Sequence, residues 1–320
     1  MAYDTSNKLT IGLASSALFD LSQSDHVFRE QGKERYAQYQ KENEQNILEP
    51  GVAFPFIRRL LNLNEIRADD PLIEVILLSR NDMNTGLRVM NSIEHYGLDI
   101  TRVMFLQGAS PHPYIKPFNI ELFLSANEQD VRSAVENGLP AGQILDSHSA
   151  DDEEDDQLRL AFDFDGVLVD DESESVYQAS QSLDNFHDHE VSKEAVAHNP
   201  GPLKPFIDRI NAIQKFEQAY ADLHPNYTPK LNVAIVTARS APAHKRVINT
   251  MQSWNVHPDQ AFFLGGIDKS AVLGQYKPHM FFDDQRSHLD RSASVAPAVH
   301  VPFGALNRPQ VIDLVKRKCS

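Results

Sequence analysis

The sequence predicts an α/β fold built from parallel, Rossmann-like sheets and arranged as two tandem halves. Short, continuously apolar segments such as LTIGLA and NVAIVTA recur along the chain, which is typical of strands buried on both faces of a parallel sheet. Amphipathic stretches of helical period separate them, as right-handed crossover connections require. Residues 75–108 also align without a gap with residues 233–266, which indicates that one α/β unit occurs twice.

The composition is that of an ordinary globular protein with an acidic surface. The chain has 320 residues, of which 41% are hydrophobic and 23% charged, enough for one large domain or two medium ones. The net charge of -15 argues against nucleic acid or an anionic membrane as the main partner. We therefore expect no nucleic-acid and no membrane partner. A small anionic substrate stays compatible, because a local site can be positive within an acidic protein.

Cysteine usage and the first residues bear on location. The single cysteine, Cys319, has no partner for an internal disulfide, which fits a reducing compartment. The first twenty residues lack a basic segment followed by a long apolar one, and no apolar stretch reaches membrane-spanning length. We therefore expect a cytoplasmic protein. The oligomeric state is left open, a homo-oligomer included.

The internal alignment also sets the domain boundaries. Chance similarity between two α/β units is the alternative, but the long gapless register favours duplication. We predict a first half over residues 1–150 and a second half over residues 157–320. The acidic run DDEEDD at 151–156 is predicted to be a solvated linker, because six adjacent acids do not pack in a core. A helical insertion, or cap, is predicted at about 171–230.

Polar side chains stand where four apolar strands of the second half end. In chain order they are Asp163 and Asp165, Thr237, Lys269, and Asp283 with Asp284. Ligands of parallel sheets bind beyond the carboxyl ends of the strands, so these groups are expected to converge on one spot. Like charges at a strand end repel, which predicts a cation among them, and oxygen ligands of this kind suit Mg²⁺.

This set of groups suits transfer of a phosphoryl group to a carboxylate. One aspartate can attack phosphorus, and a second aspartate two residues on can donate a proton to the leaving alkoxide and then activate water. A lysine and backbone amides can neutralise the phosphoryl oxygens. The competing interpretation of Asp163 and Asp165 is a turn or helix cap, which the other three strand ends make unfavourable.

The order and spacing of these elements resemble the haloacid dehalogenase superfamily of phosphohydrolases. The resemblance implies that Asp163 is the nucleophile and Asp165 the general acid/base. It assigns the phosphoryl group to Gly166, Thr237, Ala238 and Lys269, and it assigns Mg²⁺ to Asp163, Asp165, Asp283 and Asp284.

A closer resemblance covers nearly the whole chain. The segments LTIGLASSALFD, NSIEHYG, FLSAN, FDGVLVDDESE, GPLKPF, VTARSA and KPHMFFDDQ, in that order, resemble the cytosolic 5'-nucleotidase type I family. This implies Mg²⁺-dependent hydrolysis of nucleoside 5'-monophosphates to nucleoside and phosphate. Animal members read DGDAV where this chain reads DFDGV, so Phe164 is a departure beside the nucleophile. The alternatives are a phosphatase for a non-nucleotide phosphomonoester and a non-catalytic regulatory protein.

Several residues have a second interpretation. Thr237 could cap the helix that follows it, and Lys277 competes for the role of phosphate-binding lysine. Arg239 could contact phosphate or ribose, or be an ordinary surface arginine. His279 and His288 are predicted to be structural, because no HxH or HxxxH spacing accompanies them.

The predicted cap could act as a lid that excludes water from the intermediate. Its aromatic residues are candidates to stack on a base, although aromatic residues at such spacing are more often part of the core. They are Phe186, Phe206, Phe216 and Tyr220.

The first half lacks every charged participant. At the aligned positions stand Ala14 and Ser16, Ser79, Pro111, and Ser125 with Ala126. This half is therefore predicted to be unable to perform the chemistry. It is expected to be a packing partner, a contributor to the nucleotide pocket or a regulatory surface.

Overall fold

A computed structural model describes residues 4–147 and 149–307 of the chain, so Cys319 lies outside the described residues. Ten strands form one continuous sheet. They are β1 Leu9–Leu13, β2 Ile73–Ser79, β3 Arg102–Phe105, β4 Leu122–Ser125, β5 Ala141–Ile144, β6 Leu158–Phe162, β7 Leu231–Thr237, β8 Gln260–Phe263, β9 Met280–Asp283 and β10 Ala298–His300. The strand order is β3-β2-β1-β4-β5-β10-β9-β6-β7-β8.

The sheet is mixed, which corrects the prediction of separate parallel sheets. The two predicted halves each contribute five strands that pair in parallel, but β5 and β10 pair antiparallel, with Val299 opposite Ile144. This pairing joins the two halves edge to edge, so neither half leaves an unpaired strand edge at the junction. The α/β class and the mostly parallel pairing predicted from the sequence are confirmed.

Helices cover both faces of the sheet. Those that the structure describes are α1 Ser15–Leu18, α2 Ser22–Glu42, α3 Phe54–Asn62, α4 Leu87–His95, α5 His112–Ile115, α6 Glu128–Glu136, α7 Glu172–Ser180, α8 Leu183–Ser192, α9 Lys204–Leu223, α10 His244–Ser253, α11 Lys269–Tyr276 and α12 Arg286–Ser292, with short 3₁₀ turns at Leu63–Arg67 and Ala305–Asn307. The helix α2 is broken at Gly32, whose φ is 76°. Among the described helices, none combines the length and the apolar character needed to cross a membrane.

The inner strands are buried because their side chains are largely apolar on both faces, whereas the edge strands β3 and β8 are half-buried or exposed. All five residues of β1 are buried, and Phe162 of β6 stacks on Phe282 of β9 with ring centroids 4.9 Å apart. Phe206 of α9 packs against both rings, so it belongs to the core and not to a base-stacking surface. Consequently α9 lies on the sheet, whereas α7 and α8 precede it in the predicted cap segment.

The two halves have corresponding strand orders, β3-β2-β1-β4-β5 and β8-β7-β6-β9-β10. The backbone hydrogen bonds just before α3 and α9 also correspond. Gly51 donates its N–H to the Leu18 carbonyl at 2.8 Å, and Gly201 donates its N–H to the Leu168 carbonyl at 2.9 Å.

The acidic segment 151–156 between the halves has mostly exposed side chains, yet its backbone is held. The buried Arg59 donates to the carbonyl oxygens of Asp152 and Asp155 at 2.6 and 2.9 Å.

Candidate active site

The carboxyl ends of β6 and β9 meet beside Lys269, the first residue of α11. The Nζ of Lys269 lies 3.0 Å from Asp163 Oδ2 and 2.7 Å from Asp283 Oδ2, and all three residues are buried. Asp163 directly follows β6, where its N–H donates to the carbonyl of Phe282 at 2.8 Å. The structure therefore brings together the three charged groups that the strand-end pattern predicts to converge.

Burial dominates the electrostatics of this group. Burial, together with the neighbouring Asp283 and Asp165 carboxylates, raises the pKa of Asp163 to about 7, although Lys269 opposes the change. For Asp283, burial is outweighed by the Lys269 and His288 side chains, which lower its pKa. The carboxylates of Asp163 and Asp283 likewise raise the pKa of Lys269 although burial opposes this. The site thus holds more negative charge than its single buried lysine neutralises.

Asp284 adds a further buried carboxylate to the site. Its residue is only 5% exposed, and its Oδ1 has no hydrogen-bond partner within the described chain. Burial, followed by the charges of Asp163 and Asp283, raises its pKa well above the ordinary value. Gly166 makes the close packing possible, because its φ is 68° and a Cβ there would lie 2.6 Å from Asp284 Oδ2.

These residues fit a hard divalent cation. Asp163, Asp283 and His288 each offer one ligand atom, and these atoms lie within 4.8 Å of one another. The partnerless oxygen of Asp284 is the kind of group that a bound cation satisfies, since an unpaired buried carboxylate is costly. Asp165, also predicted to bind the metal, has both carboxylate oxygens engaged elsewhere.

Arg239 takes up both oxygens of Asp165. Its Nε and Nη2 donate to Oδ2 and Oδ1 at 2.7 Å each. The arginine is 4% exposed, and its Cζ lies 5.4 Å from the ring centroids of both Phe164 and Phe186. The interpretation of Arg239 as a surface residue is therefore wrong. The same contacts give Phe164, the departure in the first motif, a packing role against Arg239.

A buried carboxylate on α8 holds Arg239 from the other side. Glu190 forms ion pairs with Arg239 and Arg246, the latter at 2.9 Å, and accepts from the Ser173 hydroxyl at 2.7 Å. Burial would raise the pKa of Glu190, but His198, Arg239 and Ser173 outweigh it and lower the pKa. A continuous chain of buried charges thus runs from α8 to Asp165.

Thr237 and Ala238, the residues predicted to bind phosphate at the end of β7, differ in exposure. Thr237 is buried at the end of the strand, and its Oγ1 accepts the N–H of Arg239 at 3.2 Å. Ala238 follows it and is exposed. Thr237 does not cap a helix, because α10 begins only at His244, with Ala243 as the preceding residue.

The structure distinguishes Lys269 from Lys277, and His279 from His288. Lys277 is exposed at the far end of α11, where its carbonyl accepts from Arg159 at 2.9 Å, so Lys269 is the lysine beside the carboxylates. His279 is structural, since its Nδ1 accepts the N–H of Arg159 at 3.0 Å. His288 was expected to be structural as well, yet its Nδ1 lies 3.2 Å from Asp283 Oδ2 at the edge of the site.

Residues near the C-terminal end of the described chain hold the backbone of Asp284. Asn307 Nδ2 donates to the Asp284 carbonyl at 2.9 Å, and His300 Nε2 lies 3.1 Å from the same oxygen. Arg132 of α6, in the first half, donates to the Asn307 carbonyl at 3.4 Å. A residue of the first half, Arg132, thus contacts Asn307, which in turn holds Asp284 of the acidic pair.

The corresponding strand ends of the first half carry hydroxyl groups and no carboxylate. Ser79 ends β2 and is buried, with its Oγ 3.3 Å from the Oγ of Ser15. Ser125 ends β4 and accepts the N–H of Asn127 at 3.0 Å. The sequence comparison of the halves is consistent with this geometry.

Comparison with known proteins identifies the family of this chain. A family model described as 5'-nucleotidase matches residues 1–308. The chain belongs to the 5'-nucleotidase family. Human cytosolic 5'-nucleotidase 1B is 35% identical to it over 290 residues, which is 89% of this chain and 47% of the human protein. The chain therefore spans about half the length of the curated relative it matches. The family resemblance read from the sequence is confirmed.

One solved structure was also matched. Histidinol dehydrogenase from Elizabethkingia anophelis is 7% identical, and the match covers 93% of this chain and 74% of that one with a TM-score of 0.23. A score this low carries no argument about the fold or the function of this 5'-nucleotidase family member.

The sequence patterns left the role of Arg239 open and missed Glu190 and Asn307. Arg239 follows the same strand end as Thr237, which was a usable signal, but its partner Asp165 is 74 residues away. Glu190 lies in a helix that otherwise has an ordinary polar surface, and Asn307 lies beyond the last recognised motif. Only the folded chain brings these residues to the site of this family member.

Proposed function

We propose that this chain is a Mg²⁺-dependent 5'-nucleotidase that hydrolyses nucleoside 5'-monophosphates to nucleoside and phosphate through an aspartyl-phosphate intermediate. One observation carries the proposal. Lys269 lies between the buried carboxylates of Asp163 and Asp283, with the partnerless oxygen of Asp284 beside them. Family membership and the similarity to a protein named cytosolic 5'-nucleotidase 1B support this activity and a cytoplasmic location.

Asp163 is the proposed nucleophile. Its Oδ1 accepts the N–H of Phe164 at 2.8 Å and its Oδ2 faces Lys269, so the carboxylate is fixed at the strand end. A carboxylate oxygen forms the bond to phosphorus as the bond from phosphorus to the nucleoside O5' breaks. Water then attacks the phosphorus of the intermediate, which releases phosphate and restores the carboxylate.

Asp165 is the proposed general acid and base. It protonates the departing O5' and later takes a proton from the attacking water. In the structure both of its oxygens accept hydrogen bonds from Arg239. We infer that Asp165 turns away from Arg239 when substrate binds, while Glu190 keeps Arg239 in place.

Asp163, Asp283 and Asp284 would hold Mg²⁺. Asp165, in the turn after β6, would complete the set of carboxylates around the ion. When bound, the ion masks carboxylate charge so that an anionic nucleophile can approach an anionic phosphate. Lys269 and the backbone around Thr237, Ala238 and Gly166 are proposed to neutralise the phosphoryl oxygens as their charge redistributes.

We also propose that the fold arose by duplication into two haloacid-dehalogenase-like halves, the first non-catalytic. Matching hydrogen bonds support this beyond the common strand order. Arg88 and Arg246 donate their Nε to the carbonyls of Asn46 and Val196 at 2.7 and 2.9 Å. Asn91 and Asn249 donate to the carbonyls of Glu44 and Glu194 at 3.0 and 2.9 Å. In this proposal residues 1–150 and 157–320 are the halves. The cap, predicted at about 171–230, is narrowed to α7 with α8, because Phe206 of α9 packs in the core.

The test is phosphate release from a panel of nucleoside 5'-monophosphates and of sugar and cofactor monophosphates, with Mg²⁺ and with excess chelator. We expect release from the nucleotides alone, and only with Mg²⁺. Asp163→Asn should lower turnover by at least about 10³-fold, since the nucleophile is lost. Equal rates across the panel, or wild-type turnover by Asp163→Asn, would overturn the proposal.

A further inference from the structure

Two adjoining cavities open in the first half at the carboxyl ends of β1, β2 and β4. Their volumes are about 470 and 460 Å³, and helix α2 supplies one wall. Volumes of this size are typical of small-molecule sites. The residues that line both are Asp25, Arg29, Tyr36, Arg80, Asn81 and Asn127. The two cavities therefore form one recess, here termed the first-half recess.

The first-half recess occupies the place that the catalytic carboxylates occupy in the second half. Ala14 and Ser16 line it where the aligned sequence of the second half has Asp163 and Asp165. Ser125 and Ala126 line it where the second half has Asp283 and Asp284. The four acidic groups that would repel an anion in the absence of a metal are therefore missing at these positions.

Two basic side chains in the recess form no close ion pair among the described residues, although the charge of Arg29 acts on Asp25 at longer range. Arg29 and Lys33 line it, and neither forms an ion pair or a side-chain hydrogen bond with the part of the chain that the structure describes. Arg80 differs, because Asp130 accepts from its Nε at 2.8 Å. Four acidic residues also line the recess: Asp25 lines both cavities, Asp82 the larger one, and Glu128 and Asp130 the smaller one. Arg29 and Lys33 are thus the cations that remain available to an anionic ligand.

A buried amide and an exposed ring complete the recess. The Oδ1 of Asn81 accepts the Tyr36 hydroxyl at 2.7 Å, but its Nδ2 is buried without a hydrogen-bond partner in the described chain. A buried donor left unpaired is costly, so a ligand acceptor there would be favourable. Phe28 is half exposed and packs edge-on against Tyr36, with centroids 5.6 Å apart, which leaves an apolar ring at the rim.

We propose that the first-half recess is a non-catalytic binding site for a phosphate ester of nucleotide size. Arg29 and Lys33 bind the phosphate, the Nδ2 of Asn81 donates to the ligand, and the Phe28 ring packs against a planar group. The ligand is bound without hydrolysis, because no carboxylate stands where the second half has its nucleophile. This site goes beyond the proposed function and does not depend on it.

Equilibrium dialysis with AMP as the probe tests the site in the full chain carrying Asp163→Asn, with Mg²⁺ present. We expect two equivalents of AMP bound per chain at millimolar concentration. Adding Arg29→Ala and Lys33→Ala should weaken one of the two at least tenfold and leave the other unchanged. The matched control is Arg35→Ala with Lys41→Ala, which removes the same charge from the same helix at positions that do not line the recess.

AMP binding that the Arg29 and Lys33 changes leave unaltered would overturn the site, whether the starting chain binds one equivalent or two. Adenosine, which lacks the phosphate, should occupy the recess at least tenfold more weakly than AMP, and equal binding of the two probes would refute the phosphate assignment. Failure of the proposed function has a different signature. It removes the equivalent held by the second half and leaves the one that depends on Arg29 and Lys33.

Discussion

Arg239 and Asp165 form a two-pronged ion pair, with both nitrogen–oxygen distances at 2.7 Å, directly beside the buried Asp163. The pair ties the residue two positions after the proposed nucleophile to the end of β7. Glu190 of α8 forms an ion pair with the same arginine. The position of α8 is therefore linked to the position of the Asp165 carboxylate. This relationship makes Glu190 a positioning residue whose effect on catalysis is measurable.

Glu190→Gln should lower kcat more than it raises KM, because the variant loosens Arg239 without removing a group that touches substrate. Removing one partner of a buried ion pair also costs about 3 kcal/mol of unfolding free energy. Steady-state kinetics with AMP and urea unfolding are the measurements. The control is Glu194→Gln, whose carboxylate forms a solvent-exposed ion pair with Lys245 at 3.4 Å and should change neither quantity. A purely structural role for Glu190 would lower stability with kcat intact.

Asp284→Asn should abolish stabilisation of the fold by Mg²⁺. In the wild type, a ligand that binds only the folded state at 100 times its Kd adds about 2.7 kcal/mol, which raises Tm by several degrees. Without Mg²⁺ the variant should be at least as stable as the wild type, since it no longer buries a carboxylate without a partner. Thermal unfolding with and without Mg²⁺ is the measurement, with Asp290→Asn on the exposed side of α12 as the control. An undiminished Mg²⁺ shift in Asp284→Asn would contradict the assignment.

Gly166→Ala should cost both stability and activity. The residue has a φ of 68°, which costs a residue with a Cβ about 1–2 kcal/mol, and the new Cβ would displace the Asp284 carboxylate. Gly97→Ala is a matched control, because its φ is 61° and no atom lies within 4 Å of the added Cβ. We expect a similar loss of unfolding free energy from the backbone in both variants, but a fall in kcat only for Gly166→Ala. Equal activities would show that the contact with Asp284 is unimportant.

His279 should make the fold less stable in acid. Burial, with the charges of Arg59 and Arg159, lowers its pKa to about 3, whereas an unfolded histidine has a pKa near about 6.5. Between these values the unfolded chain binds the extra proton, so this residue lowers the unfolding free energy by up to about 1.4 kcal/mol for each unit of pH decrease. The stability it contributes is complete above pH of about 6.5 and is lost as pH falls toward 3.

His279→Asn tests this, because asparagine can accept the Arg159 N–H without titrating. Urea unfolding from pH 7 to pH 4 should give a shallower slope for the variant than for the wild type. The exposed His257, changed to Asn, should leave the slope as it is. An unchanged slope in His279→Asn would mean that another group controls acid stability.

The order of amino acids was enough to predict the fold class, the family and the carboxylates of the candidate site. Continuous apolar strands and the residues that end them are local patterns, and parallel strands present their carboxyl ends at one edge of a sheet. Asp163, Lys269 and Asp283 could therefore be placed together from the strand pattern and its chain order. The gapless match between the halves is similarly readable, because it depends on chain order alone.

Contacts between distant segments were settled only by the folding of the whole chain. The antiparallel pairing of β5 with β10 joins short strands with 153 residues between Ile144 and Ala298, and neither strand has a pattern of its own that names its partner. Likewise, a sequence shows an arginine at 239 and an acid at 190, but not that burial forces them to pair with each other and with Asp165. A buried charge or a strand edge pairs with whichever group the packing brings within a few ångströms. That partner is determined only when the whole chain is folded.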